Sequence, residues 1–170
     1  MTTIVPLEKR QEPEPVQAAD TAVERAAREH ERLQFELQEL VRQTCSVRQV
    51  QEPSRLHGEF RKLTSQVLQL QEDWQEHTKW VETEFLPYAA WYWGEEPELF
   101  AHIDHEYVLA DKMLDRFTEQ LGRINGPLDP AEARRLTSYL LQAYAVLKNR
   151  MLEEEEIMQQ LQDQSNRYDF

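Results

Sequence analysis

The sequence feature that most constrains the fold is a series of residues spaced alternately three and four positions apart. The series consists of Phe60, Leu63, Val67, Leu70, Trp74, His77 and Val81. This spacing places side chains along one side of a helix, the side that packs against partner helices. All members except His77 are apolar. The segment is therefore predicted to be a long helix with an imidazole on its buried side.

Three further segments show helical periodicity, and Pro- or Gly-containing stretches separate the four. The separating stretches are QVQEPSR, YAAWYWGEEPE and GRINGPLDP, which are typical of turns. The predicted helices span about residues 20–47, 54–87, 97–121 and 130–163, and Asp129 is predicted to cap the fourth. Short connections favour antiparallel neighbours. The predicted fold is therefore all-α, an up-down-up-down antiparallel four-helix bundle.

Composition agrees with this fold and limits the partners. The chain has 170 residues and only four glycines, and it is rich in helix-favouring residues. We expect one bundle domain at residues 20–164, a flexible arm at 1–19 and a tail at 165–170. A net charge of −13 disfavours nucleic acid and anionic membranes as partners. A single cysteine, Cys45, and the lack of a signal-like N-terminus fit a cytoplasmic protein.

Polar residues interrupt each predicted helix near one level of the bundle. His30 lies on the apolar side of the first helix and Glu154 on that of the fourth. In the third, His102 and His105 fall between the apolar residues Leu99 and Leu109. With a rise of about 1.5 Å per residue, their distances from the helix ends agree within roughly one or two turns. The sequence therefore predicts one polar layer that contains these residues and His77.

Two interpretations of this layer follow from the residues. A buried charge or imidazole is costly unless it is paired or ligated. Histidine nitrogens and a carboxylate are also ligands that Fe, Zn or Mn accept in helix bundles. The layer is then either a metal site or a polar network in which Arg150 neutralises Glu154.

Four sequence motifs resemble those of the hemerythrin-like (HHE cation-binding) family of four-helix bundles. The motifs are AAREHERLQFELQEL, HTKWVETEFLP, IDHEYVLADKMLDRF and RMLEEEEIM. The resemblance implies a non-haem iron centre with ligands at His30, His77, His105 and Glu154. It also implies binding of a small ligand such as oxygen or nitric oxide, or redox chemistry or sensing.

Two positions depart from the family pattern. Val81 stands where the family has a bridging glutamate, and Arg150 stands where it has a histidine. Arginine cannot lose its proton to become a ligand. The expected site is therefore reduced: one metal at His30, His77, His105 and Glu154. His102 is an additional ligand candidate, and Glu82 becomes one if a π-type bulge rotates it inward.

The cofactor and the function are expected in two versions. In the first, the bundle binds iron, one or two ions, or another divalent metal, and acts on a diatomic ligand; whether it is an enzyme stays open. In the second, the bundle binds no metal and serves as a protein-interaction or regulatory module. Its partner surface is then the aromatic stretch after the second helix, which contains Tyr88, Trp91, Tyr92 and Trp93.

Overall fold

The computed structural model describes residues 15–94 and 98–167, and every regular element in this part is helical. The elements are α1 (Pro15–Val47), α2 (Pro53–Trp80), a π-helical segment (Val81–Phe85), α3 (Leu86–Trp93), α4 (Leu99–Gly122) and α5 (Pro130–Arg167). The predicted all-α class is confirmed for the described residues. None of these helices is long and apolar enough to cross a membrane.

The outer helix ends lie beyond the predicted boundaries. α1 begins at Pro15, so residues 15–19 of the expected flexible arm are helical, and residues 1–14 lie outside the described residues. α5 extends to Arg167, and of the expected tail only 168–170 lies outside the described residues. The backbone N–H of Glu132 donates to Asp129 Oδ1 at 2.7 Å, which is the predicted cap.

The second predicted helix does not end at Leu86–Pro87. A π-helical segment follows α2, and the Leu86 N–H donates to the carbonyl of Val81, five residues back. Pro87, which lacks an N–H, falls in the first turn of α3, where this is tolerated. α3 ends at Trp93, and Gly94 caps it: its N–H donates to the Ala90 carbonyl, and its φ of 75° turns the chain out of the helix. The aromatic stretch is therefore mainly helix and not a turn.

Side-chain contacts connect the ends of different helices. Gln43, late in α1, hydrogen-bonds Glu59, early in α2. Arg48, just after α1, donates through Nη1 to the Arg134 carbonyl, early in α5, at 3.0 Å. Asn149 in the second half of α5 donates to Glu106 in the first half of α4 at 2.7 Å. In each pair, a later part of one helix meets an earlier part of another.

Three of the four long helices bury the series of residues that the sequence predicts. The members of the α2 series, which ends at Val81 in the π-helical segment, are all buried. So are all members of the predicted series on the other two helices, which are Ala26, His30, Leu33, Leu37, Leu40 and Thr44 on α1 and Leu136, Leu140, Ala143, Leu147, Arg150, Glu154, Ile157 and Leu161 on α5. They include four ionisable residues, His30, His77, Arg150 and Glu154, and the hydroxyl residue Thr44. Apolar residues on either side of these four belong to two separate clusters, a larger one that reaches from Leu33 to Met151 and a smaller one around α3. The polar layer therefore divides the core.

α4 buries a different side from the predicted one. The apolar residues that the sequence predicts on the buried side of this helix are Leu99, Leu109, Met113 and Phe117, but Leu109 is 39% exposed. The buried residues of α4 are Phe100, Ile103, Ala110, Leu114 and Phe117, with Tyr107 half-buried among them. These six follow an unbroken alternation of three and four positions, whereas the predicted set contains a gap of ten residues between Leu99 and Leu109. The sequence therefore contained the correct pattern.

Candidate metal centre

His30, His77 and Glu154 come together in the core from three different helices. All three are buried, and they offer one ligand atom each such that these atoms all lie within 4.8 Å of one another. His77 Nε2 lies 2.9 Å from Glu154 Oε1. His30 Nε2 lies 3.3 Å from Glu154 Oε2, close enough for an ion pair but without hydrogen-bond geometry. Glu154 is therefore the common partner of both imidazoles, whose ring centroids are 5.2 Å apart.

Glu29 is a fourth member of this cluster that the sequence did not predict. Its Oε2 lies 2.5 Å from His77 Nδ1, so the imidazole is held between two carboxylates. Glu29 also pairs with Arg25, one turn earlier on α1, at 3.2 Å. Glu29 lies one residue before His30 and is therefore not a member of the buried series on α1. Its position next to a buried histidine was the only signal for it.

The two carboxylates control the charge of His77. Burial disfavours the imidazolium, but the charges and hydrogen bonds of Glu154 and Glu29 outweigh burial and raise the pKa of His77 to about 9. Burial would likewise raise the pKa of Glu154, yet the neighbouring His77, His30 and Arg150 hold that pKa well below its usual range. In the absence of metal, the cluster at neutral pH therefore holds an imidazolium between ionised carboxylates.

Arg150 lies beside the cluster as a second buried cation. It is 0% exposed, and its Nε lies 3.8 Å from Glu154 Oε2. The guanidinium carbon lies 5.6 Å from the centroid of the Trp74 ring and 5.0 Å from that of Tyr107. Within the described part of the chain, its three nitrogens form no hydrogen bond. One carboxylate and two ring faces therefore stabilise this charge.

His102 and His105 do not join the cluster. Both side chains are exposed on α4, so the expectation that His105 lies in the core is wrong. The cause is the shifted buried side of α4, which directs Tyr107 toward Arg150 instead of a histidine toward Glu154. Tyr107 is not predicted from the sequence, because a tyrosine within an apolar series gives no signal that distinguishes it from a core residue.

Val81 and the ligand candidate Glu82 both lie in the π-helical segment. Val81 is buried, with Ile103 and Phe85 in the smaller apolar cluster. A π-helical segment does occur at this point of the chain, but Glu82 is exposed. The π-type geometry therefore does not turn Glu82 into the core, and it is not part of the cluster.

The donor atoms present fit a single transition-metal ion. Two imidazole nitrogens and one carboxylate oxygen are the donor set of mononuclear non-haem iron sites, and zinc or manganese accept it as well. Neither ring nitrogen of His30 forms a hydrogen bond within the described residues, although both are buried, which leaves a lone pair free for a metal. Glu29 on the far nitrogen of His77 can orient that ring, as carboxylates commonly do for metal-bound histidines.

The aromatic residues proposed as a partner surface lie on α3. Trp91 is 64% exposed, and its ring centroid lies 6.0 Å from that of Tyr88, which in turn lies 6.4 Å from that of Tyr92. Trp93 instead packs against Phe100 of α4 at 6.2 Å. Tyr88, Trp91 and Tyr92 therefore form one patch in which Trp91 is exposed and the two tyrosines are half-buried, while Tyr92 and Trp93 both pack against the smaller apolar cluster.

Comparison with known proteins returns no relative. No family model matches the chain, and neither a curated protein nor a solved structure matches it.

Proposed function

We propose that this chain is a hemerythrin-like antiparallel four-helix bundle that holds one divalent transition metal, most simply iron, at His30, His77 and Glu154. The contacts that join late parts of α1 and α5 to early parts of α2 and α4 support an antiparallel arrangement. Short segments connect α1 to α2 and α4 to α5, as in up-down bundles, whereas the π-helical segment and α3 lie between α2 and α4. We further propose that it acts in the cytoplasm.

The observation that carries this proposal is the convergence of the three buried residues within 4.8 Å. They lie between the two apolar clusters of the core, where a polar group without a strong partner is costly. The proposed site contains no histidine ligand from α4, because His102 and His105 are exposed.

The proposed site holds one metal ion and not two. Arg150 brings a fixed positive charge to within 3.8 Å of Glu154, and this charge repels a second cation. The second bridging carboxylate of the family is replaced by the buried Val81. Three protein ligands leave coordination positions open, so the metal can bind a small ligand such as oxygen or nitric oxide, or serve in redox chemistry or sensing.

The test is metal content and metal-dependent stability of protein purified without chelator. We expect about one iron, manganese or zinc ion per chain, and a higher melting temperature with metal than after chelation, because binding to the native state alone stabilises it. His77→Ala should abolish the shift, whereas the matched variant His105→Ala should retain it. Equal melting temperatures with and without chelator in the parent protein would reject the metal site.

The number of metal ions is tested by restoring the family residues. The double variant Arg150→His with Val81→Glu replaces the buried cation by a ligand and adds a second carboxylate. We expect its iron content to rise from one to two per chain, with an absorption band of an oxo-bridged pair. Two irons per chain in the unmodified protein would show that Arg150 does not limit the site.

A second candidate function has its own supporting observation. Without metal, the charges of these four groups cancel: His77 pairs with Glu29 and Glu154, and Arg150 pairs with Glu154. In that case the bundle is a metal-free interaction or regulatory module, with the patch of Tyr88, Trp91 and Tyr92 as its partner surface. Protein that contains no metal and binds none on addition would favour this candidate.

A further inference from the structure

An open cleft lies at the end of the molecule away from the His30–His77–Glu154 cluster. It is formed by the first three turns of α2, the end of α4 and the loop before α5, whereas His77 lies near the other end of α2. Its volume is about 940 Å³. Small-molecule sites in proteins typically enclose roughly 300–1,000 Å³. The cleft is therefore large enough for a small organic ligand.

The floor of the cleft is apolar and fixed. Phe60 and Leu128 line it and are buried, and Leu121 and Ile124 line it as half-buried residues. The Phe60 ring stacks on Phe117, with a centroid distance of 6.0 Å. An apolar ligand would therefore meet a surface that is already packed from behind and needs little rearrangement.

The charge of the cleft differs from that of the chain. The molecule has 32 acidic against 19 basic residues, yet no aspartate or glutamate occurs among the described residues that line the cleft. Arg61 lines it and has no carboxylate within ion-pair distance in the described part of the chain. Its Nη2 instead lies 3.4 Å from Nε2 of His57, which can accept a hydrogen bond from it. The fixed charge on the cleft wall is therefore positive.

We propose that this cleft binds a small amphipathic carboxylate, such as a medium-chain fatty acid. The apolar chain lies on Phe60, Ile124 and Leu128, and the carboxylate meets the guanidinium of Arg61. Guanidinium and carboxylate match in shape and charge and form paired hydrogen bonds. The hydroxyl groups of Ser54 and Ser65 on the same wall offer additional donors.

Other ligand classes fit the cleft less well. A cation would find no carboxylate on the wall to neutralise it. A polyanion such as a nucleotide would meet one fixed cation while the net charge of −13 opposes its approach. One negative charge on an apolar body is the chemistry that the wall complements.

The experiment is calorimetric titration of the full chain with decanoate, kept below the concentration at which it forms micelles. We expect one binding site per chain and about tenfold weaker binding of 1-decanol, which lacks the charge. Arg61→Gln should also weaken decanoate about tenfold. The matched variant Arg55→Gln, exposed on the same helix but outside the cleft, should bind decanoate like the parent.

A second variant tests the location without removing a cation. Ser65 is exposed, so Ser65→Glu should leave folding intact while placing a negative charge on the wall, and it should weaken decanoate binding. The proposal is overturned if the parent protein does not bind decanoate, if decanol binds equally well, or if both Arg61→Gln and Ser65→Glu bind like the parent.

Discussion

α2 and α4 each carry a histidine at the same level of the molecule, but only the histidine on α2 is buried. His77 on α2 is buried and contacts Glu154, whereas His105 on α4 is exposed. The level is shared, because Glu106, beside His105, bonds Asn149, five residues before Glu154. His77 belongs to an unbroken alternation of three and four positions, and His105 does not. A histidine is therefore buried when it belongs to an unbroken series of apolar positions, and its distance from the helix end does not decide this.

The largest expected effect comes from removing the common partner of the cluster. Glu154→Gln leaves the buried guanidinium of Arg150 without its one nearby carboxylate and should destabilise the protein by about 3 kcal/mol. Urea unfolding followed by circular dichroism measures the change. The exposed neighbour offers a matched control, since Glu156→Gln should change stability by less than about 0.5 kcal/mol. Equal effects of the two variants would mean that Glu154 does not hold the layer together.

The comparison of α2 with α4 is tested by removing one histidine from each. His77→Ala should destabilise the metal-free protein by about 2 kcal/mol, because it leaves Glu29 and Glu154 without the cation between them. His105→Ala should change stability by less than about 0.5 kcal/mol, as exposed substitutions usually do. The same unfolding experiment measures both variants. Similar losses of stability in the two would contradict the conclusion that only His77 contributes to the core.

The pH dependence of stability tests whether the protonated form of His77 stabilises the folded protein. Its pKa is raised from 6.5 to about 9, so its contribution to the stability of the metal-free protein is fully present below pH 6.5. That contribution is lost as the pH rises through about 9. Metal affinity should change in the opposite direction, because a metal requires the neutral imidazole. Melting temperatures and metal titrations between pH 6 and 9 measure both trends, and neither should appear in His77→Ala.

The smallest expected effect concerns Glu36 on α1, which is half-buried beside Asp73 of α2. Burial, followed by the hydrogen bond with Asp73 and the charge of Asp73, raises the pKa of Glu36 to about 8. The folded state therefore loses stability as the pH rises from 4.5 toward 8. Glu36→Gln should raise the stability at pH 8 by about 1 kcal/mol, after allowance for solvent screening, and leave it nearly unchanged at pH 4.5. A gain of equal size at both pH values would assign the effect to packing instead of ionisation.

Periodicity predicted the helices and most of the core, and its failures have physical causes. The series on α1, α2 and α5 placed His30, His77 and Glu154 correctly on buried sides, because an unbroken apolar pattern admits one orientation of the helix. The helix through Pro87 was missed because a proline usually ends a helix, and the π-helical segment that accommodates it leaves no pattern of its own. Glu29 was missed because it lies one residue off the buried side of α1. Whether such a side chain contacts the core depends on the position of the neighbouring helix.

The polar layer separates two parts of the molecule that we expect to differ in their stability against local unfolding. The larger apolar cluster below it extends from Leu33 to Met151, while the smaller one above it gathers around α3. The His77 ring contacts Trp74 of the larger cluster and Trp80 of the smaller one, and the other contacts in the layer are mainly ion pairs. We expect the α3 end to open locally while the larger cluster stays folded, so that its backbone amides exchange with solvent hydrogen sooner. Metal binding at His30, His77 and Glu154 would couple the two clusters and slow that exchange.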